Sequence, residues 1–195
     1  MLFRSIVDCM KEQISVIKTR TKDIADEDRP SVMFIGLRTD ECVGVVWARN
    51  YGDAKFTEEV ANIKNVYDKH ERTQMSAEQI ITLNPEVIIL GTNTIKPDPS
   101  ILYNDPAYKN LRDVDAVKNK KVGSLGLLTW WGDLRLELPT VLLISAKTTY
   151  PDSFEDINVG QWLNEYHKKL YNLSDSEAQE LKKVQLLTWM DDHNF

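Results

Sequence analysis

Histidine is the first residue type to test for chemistry, because imidazole serves as acid, base and metal ligand near neutral pH. His70, His167 and His193 stand far apart in charged or polar contexts, and none has a second ligand at metal spacing. All three are expected at the surface. Cys9 and Cys42 also lack metal spacing and read as small buried hydrophobes rather than a disulfide. The sequence has no phosphate-binding glycine loop and no nucleophile elbow. Its acidic clusters "DEDR", "DVD" and "MDDH" read as solvated turns or tails. Nothing here assembles a catalytic constellation, which leaves binding chemistry.

Three features suit binding. Trp130 and Trp131 are adjacent at the exit of an expected strand and precede Gly132. Either one ring enters the core and the other packs on the next helix, or the pair forms a flat aromatic wall for a ligand. Arg49 and Tyr51 lie in the turn-rich "WARNYGD", either as an exposed turn or as a charge and a hydroxyl offered to an anionic or chelated ligand. Finally, "MSAEQIITLNPEVIILG" (75–91) opens a helix with Ser76 as N-cap and Gln79 completing a capping box. Glu78 has no part in that cap.

Composition narrows the class. The 195 residues suffice for one substantial domain or two small ones, and 42% apolar with 28% charged residues is ordinary for a globular protein. A net charge of −6 argues against nucleic acid as partner. No apolar run approaches the ~20 residues that cross a bilayer. The start "MLFRSIVDCMKEQ" lacks the apolar stretch of a signal peptide, and Asp8 spoils the faint lipoprotein-site echo in "IVDC".

The elements that position these residues follow from periodicity. Leu2, Ile6, Met10, Ile14 and Ile17 predict one long helix over 2–24, ended by "DIADEDRP". Strands are expected at "SVMFIGL" (31–37), "ECVGVVWA" (41–48) and "EVIILG", with another after "DAVKNKK". Helices are expected over 56–66, 76–83, 136–149, 157–171 and 174–187. Near-continuous apolar strands alternating with helices imply an α/β, three-layer arrangement around a mainly parallel, Rossmann-like sheet. Such sheets bind ligands beyond the carboxyl ends of their strands. The loops there are 37–41, 91–98 and 125–133, with the hairpin-like 47–53 as a possible fourth.

Taken in order, several segments resemble one family. "SAEQIITLNPEVIILG" is similar to the Ser-x-Glu…Asn-Pro-[Asp/Glu]-Val-Ile-Ile stretch of ABC-importer substrate-binding proteins for iron–siderophores, haem and cobalamin. "DPAYKNLRDVDAVKNKKV" resembles their Ala-Val-Lys-Asn stretch, and "LISAKTTYPDSFEDINVGQWLNEYHKKLYNLSDSEAQEL" resembles their C-terminal tail. The resemblance implies two α/β lobes joined by a long helix, with the ligand between them. Residues 1–29 would be the joining helix and linker, and residues 30–195 the C-terminal lobe. The N-terminal lobe, its signal peptide and its lipid-anchor cysteine have no counterpart here, which predicts an excised domain or truncated product rather than a stand-alone protein with a new role.

The resemblance also implies roles. Glu78 matches the second-lobe glutamate that docks on arginines of the permease subunits, which work with their ATPase. Arg49, Tyr51, Asn93, Trp130 and Trp131 fall in the ligand loops, and Arg135 and Glu137 fit the Arg and Glu that often follow the Trp segment. The ligand would be an iron–siderophore, haem or corrinoid; no cofactor and no enzymatic activity are implied. The full-length form would be a periplasmic or extracellular lipoprotein. One alternative is the same fold binding an oxyanion such as molybdate or tungstate through Arg38 and Arg49, or a free metal ion. Another is an intracellular enzyme or scaffold built on a related lobe.

Overall fold

The computed structural model describes residues 2–38, 43–49, 52–91, 94, 97–128 and 135–195. Its strands are β1 (Ser31–Leu37), β2 (Gly44–Val46), β3 (Lys64–Asn65), β4 (Thr73–Met75), β5 (Val87–Leu90) and β6 (Val122–Ser124). Its α-helices are α1 (Leu2–Thr21), α2 (Gly52–Ala61), α3 (Ala77–Leu83), α4 (Ser100–Asn104), α5 (Asp115–Lys118), α6 (Leu138–Thr149), α7 (Val159–Tyr171), α8 (Asp175–Val184) and α9 (Trp189–Asp192).

The strands form one sheet in the order β4-β2-β1-β5-β6, with β3 also paired to β1. β1, β3, β5 and β6 run parallel, as the apolar runs predict. β2 runs antiparallel to both β1 and β4. One edge of β1 is thus shared: Ile35–Leu37 pair with β2, and Ser31–Val32 pair with β3. The stretch read as hairpin-like instead leaves the sheet after Trp47 and leads into α2.

Alternation along the strands sorts the apolar side chains into two cores. Val32, Phe34, Val87 and Ile89 pack under a layer that includes α1, α2, α6 and α7. Met33, Ile35, Leu37, Ile88 and Leu90 pack under α3, α4 and α5. This is the expected three-layer α/β sandwich. α6 lies at the centre of the first layer, with Pro139–Ala146, Thr148 and Thr149 all buried. The two threonines are tolerated there because Thr148 and Thr149 donate to the carbonyls of Ile144 and Ser145 (both 2.8 Å).

α1 lies on this layer. It ends at Thr21, three residues before the expected end, because the Asn62 side-chain amide donates to the Thr21 and Ile24 carbonyls (3.0 and 2.9 Å). Arg20 makes a two-pronged contact with Asp156 (2.5 and 2.8 Å), and Trp162 Nε1–H donates to Gln13 Oε1 (2.9 Å). Cys9 is buried against Tyr166 and Leu170, as expected; Cys42 lies outside the described residues.

Several expectations need correction. The helix predicted over 56–66 spans 52–61: Asn62 turns left-handed (φ 54°) and frees Lys64 and Asn65 to pair with β1. β4 was not anticipated; three residues are too few to show a period. His167 is not on the surface but fully buried in α7, on the helix face that carries Leu163, Tyr166 and Leu170 inward. Within "MDDH", Asp191 is no free tail acid, since it takes the ammonium of fully buried Lys182 at 2.7 Å.

Candidate functional site

Parallel strands leave their carboxyl ends on one side, where following loops converge. Here β1, β5 and β6 deliver the chain to loops beginning at Arg38, Gly91 and Leu125. Backbone bonds hold the loop starts in register: Gly91 N–H to Ile35 O (2.8 Å) and Leu125 N–H to Leu90 O (2.9 Å). Thr94, almost fully buried, accepts the Leu37 N–H (3.2 Å) and so ties the second loop to the end of β1. Tyr108 hydroxyl donates to Arg38 O (3.0 Å) from the opposite layer. Sequence reasoning missed Thr94, because one threonine in "GTNTIKPD" carries no periodic signal.

Two glycines permit this closeness. A Cβ on Gly91 would meet a Trp47 ring carbon at 2.3 Å, so the end of β5 passes over that indole. Gly126 is left-handed (φ +53°), and a Cβ there would meet Gln185 O at 2.2 Å. Leu127 N–H then donates to the same carbonyl (2.9 Å), which fixes the third loop to the chain between α8 and α9.

Glu78 stands at this same end. Met75 pairs with Gly44, which pairs with Leu37 at the carboxyl end of β1, so the chain starts α3 beside the loops. Ser76 and Gln79 form the expected capping box. Glu78 is exposed, and among the described residues no cation lies within 4 Å of it. Hydrogen bonding by the Ser76 hydroxyl, helped by backbone, holds its carboxyl below the usual range, so it is charged at neutral pH.

The other expected residues are differently placed. Arg49 Nε donates to Glu58 Oε2 (2.7 Å), whose second oxygen accepts the Asn65 N–H (3.0 Å). Hydrogen bonding to Glu58 raises the Arg49 pKa further, and the guanidinium stands beside the start of β1 with half its surface in solvent. Tyr51, Asn93, Trp130 and Trp131 lie outside the described residues, and Arg135 is described in its backbone only.

Glu137, matched above to the Glu that often follows the Trp segment, turns inward. It accepts from Tyr171 hydroxyl (2.7 Å), Gln185 (3.4 Å) and Thr140 (3.4 Å), and lies 3.5 Å from His167 Nε2. Burial by itself would raise its carboxyl, but His167, Tyr171 and Gln185 outweigh that and hold it low. The reason for the inward turn is local: a short 3-10 turn, Arg135–Glu137, leads into buried α6. A groove of ≈ 550 Å³ opens above this network, walled by Leu127, Leu173, Leu181 and Val184. Among the described residues no group of three or more His, Cys, Asp or Glu could hold a metal, and no helix is long and apolar enough to cross a membrane.

Known proteins share this fold. A curated relative, the molybdate-binding protein MolA of Haemophilus influenzae, is 29% identical over 134 residues, or 64% of this chain and 36% of MolA. A periplasmic solute binding protein from Veillonella parvula superposes with a TM-score of 0.73 at 20% identity, over 98% of this chain and 57% of that one. Helicobacter pylori CeuE, solved with Ni(II) bound, gives 0.68 at 22% identity, over 91% of this chain and 55% of its own. The chain therefore spans about a third of the curated relative and little more than half of these solved structures. The family model described as periplasmic binding protein matches residues 7–126, from α1 through β6, and on that match the chain belongs to the periplasmic binding protein family.

Proposed function

We propose that these residues are the joining helix (1–29) and the second α/β lobe (30–195) of a solute receptor for an ABC importer, working at the periplasmic or extracellular face and anchored there by lipid in its full-length form. The lobe contributes one wall of a ligand cleft and presents Glu78 to the permease subunits, which act with their ATPase. The receptor binds and releases; it does no bond chemistry. Its ligand is a metal chelate of the siderophore, haem or corrinoid kind, held over the loops that follow β1, β5 and β6, with Tyr51, Asn93, Trp130 and Trp131 as contacts; Arg49, paired to Glu58 beside the start of β1, is left out of that set. The observation that carries this reading is the position of Glu78: an unpaired, ionised carboxylate at the end of the sheet where those loops converge. A charge so placed suits a transient, salt-sensitive complex with arginines.

The test is Glu78→Ala in a receptor that contains these residues, assayed with its permease and ATPase in proteoliposomes. Uptake falls about tenfold, the loss of roughly 1.4 kcal/mol of docking energy, while ligand affinity is unchanged. A fall in ligand affinity with docking intact would move Glu78 into the cleft and sink the reading. A second reading, an oxyanion as ligand, is favoured by the 29% identity to MolA. Molybdate displacing a bound ferric siderophore from the receptor would establish it.

A further inference from the structure

The opposite end of the sheet holds a second recess. Lys121 enters β6 at its amino end, and Lys147 lies in the last turn of α6, which starts near the ligand loops and ends far from them. Between them opens a groove of ≈ 720 Å³, a size that encloses a small organic ligand. Tyr103, Trp189 and Phe195 give it aromatic surface, and Lys120, Lys121 and Lys147 stand around it. None of the described residues that line it is Asp or Glu, in a chain whose net charge is −6.

The cations lack acidic partners. Among the described residues no carboxylate lies within 4 Å of Lys120, Lys121 or Lys147. Lys147 donates to the Ile157 carbonyl and rests 5.6 Å from the Phe195 ring centroid. Burial lowers its pKa, and the one carboxylate that opposes this, Asp156, is already engaged by Arg20. Lys120 occupies a left-handed turn position (φ 55°), where Gly or Asn costs least. Burial pushes the Tyr103 hydroxyl up to about 12, so it adds no negative charge.

The wall is also rigid. Trp189 is almost fully buried and packs on Phe195 with centroids 4.8 Å apart. Its Nε1–H is buried without an acceptor among the described residues. The segment carrying both rings is fixed by the Lys182–Asp191 pair and by Phe195 O, which accepts the Val159 N–H (2.6 Å). An apolar recess edged by the tilted Trp189 and Phe195 rings, beside lysines that no Asp or Glu among the described residues pairs within 4 Å, suits one chemistry: an aromatic body carrying a carboxylate or phosphate.

We propose that this groove is a second ligand site, separate from the cleft, for an aromatic carboxylate or aromatic phosphate ester. The test is a two-dimensional NMR titration of the 195-residue chain with 2-naphthoate and 2-naphthyl phosphate, and with 2-naphthylmethanol as the uncharged control. Saturable shifts of the Trp189 indole signal and of the Lys121 and Phe195 amides are expected with one or both anions. The tighter of the two identifies the head group. The neutral control and the K120Q/K121Q variant each bind about tenfold more weakly, the loss of about one charge-assisted contact. Should that variant misfold, 1 M salt on the unaltered chain makes the same measurement, with binding lost. Linear, unsaturated shifts, equal affinity for the neutral control, salt-insensitive binding, or shifts confined to the loops at the other end would each overturn the proposal.

Discussion

At the scale of single residues, the buried acid–imidazole pair is where the chain carries most electrostatic risk. Glu137 and His167 are both inaccessible; Tyr171 and Gln185 donate to Glu137, whereas His167 has neither ring nitrogen hydrogen-bonded among the described residues and only the Glu137 carboxylate 3.5 Å from Nε2. Glu137→Ala strands His167 in the core and is expected to cost about 3 kcal/mol, read as a shift of the urea midpoint. Replacing both together, E137L/H167L, restores most of that loss, since apolar substitutes of similar volume remove the desolvation cost as well. A single variant that unfolds at the wild-type midpoint would show that the pair adds nothing to stability. The sequence put His167 on the surface because Glu165, Lys168 and Lys169 surround it in the chain. The helical moment through Leu163, Tyr166 and Leu170 was the better guide, since burial follows the face and not the neighbours.

At the scale of elements, long apolar runs were legible and short pairings were not. β1 occupies the seven residues its composition marks, and the α3 capping box is the one read from Ser76 and Gln79. β3 and β4, of two and three residues, follow from the partners offered by β1 and β2, which no local pattern encodes. The seating of α1 was equally hidden, because it rests on residues more than a hundred positions away. Arg20 holds Asp156 down to about 2 from an ordinary value near 3.8. A carboxyl depressed in the folded state stabilises above its unfolded pKa, and that contribution disappears as pH falls through the folded one. Stability is therefore expected to drop between about pH 4 and pH 2 partly through this pair, and Asp156→Asn removes that part of the slope. Thermal unfolding across this pH range checks it; an unchanged slope in the variant would remove Asp156 from the account. Serine caps give a second test of local order. Ser174→Ala removes the hydroxyl that caps α8 and is expected to cost about 1 kcal/mol, with hydrogen exchange rising in α8 before it rises in α7.

At the scale of the whole molecule, the proposed cleft draws one of its two walls from these residues. Enclosed small-molecule sites bury roughly 70–90% of the ligand, which needs walls on opposite sides. A two-walled receptor with a Kd near 1 nM draws about 12 kcal/mol from its contacts. If the walls share that equally, these residues alone retain about 6 kcal/mol, a Kd on the order of tens of micromolar. The entropy of immobilising the ligand is not halved with the contacts, so the true value lies on the weak side of that figure. Tryptophan quenching of the 195-residue chain by a ferric siderophore, haem or corrinoid reads this directly, since Trp130 and Trp131 sit in the third loop. Weak, saturable quenching fits one wall of a shared cleft. Submicromolar affinity would mean that the single lobe closes on its ligand unaided, and the two-walled receptor would have to be abandoned.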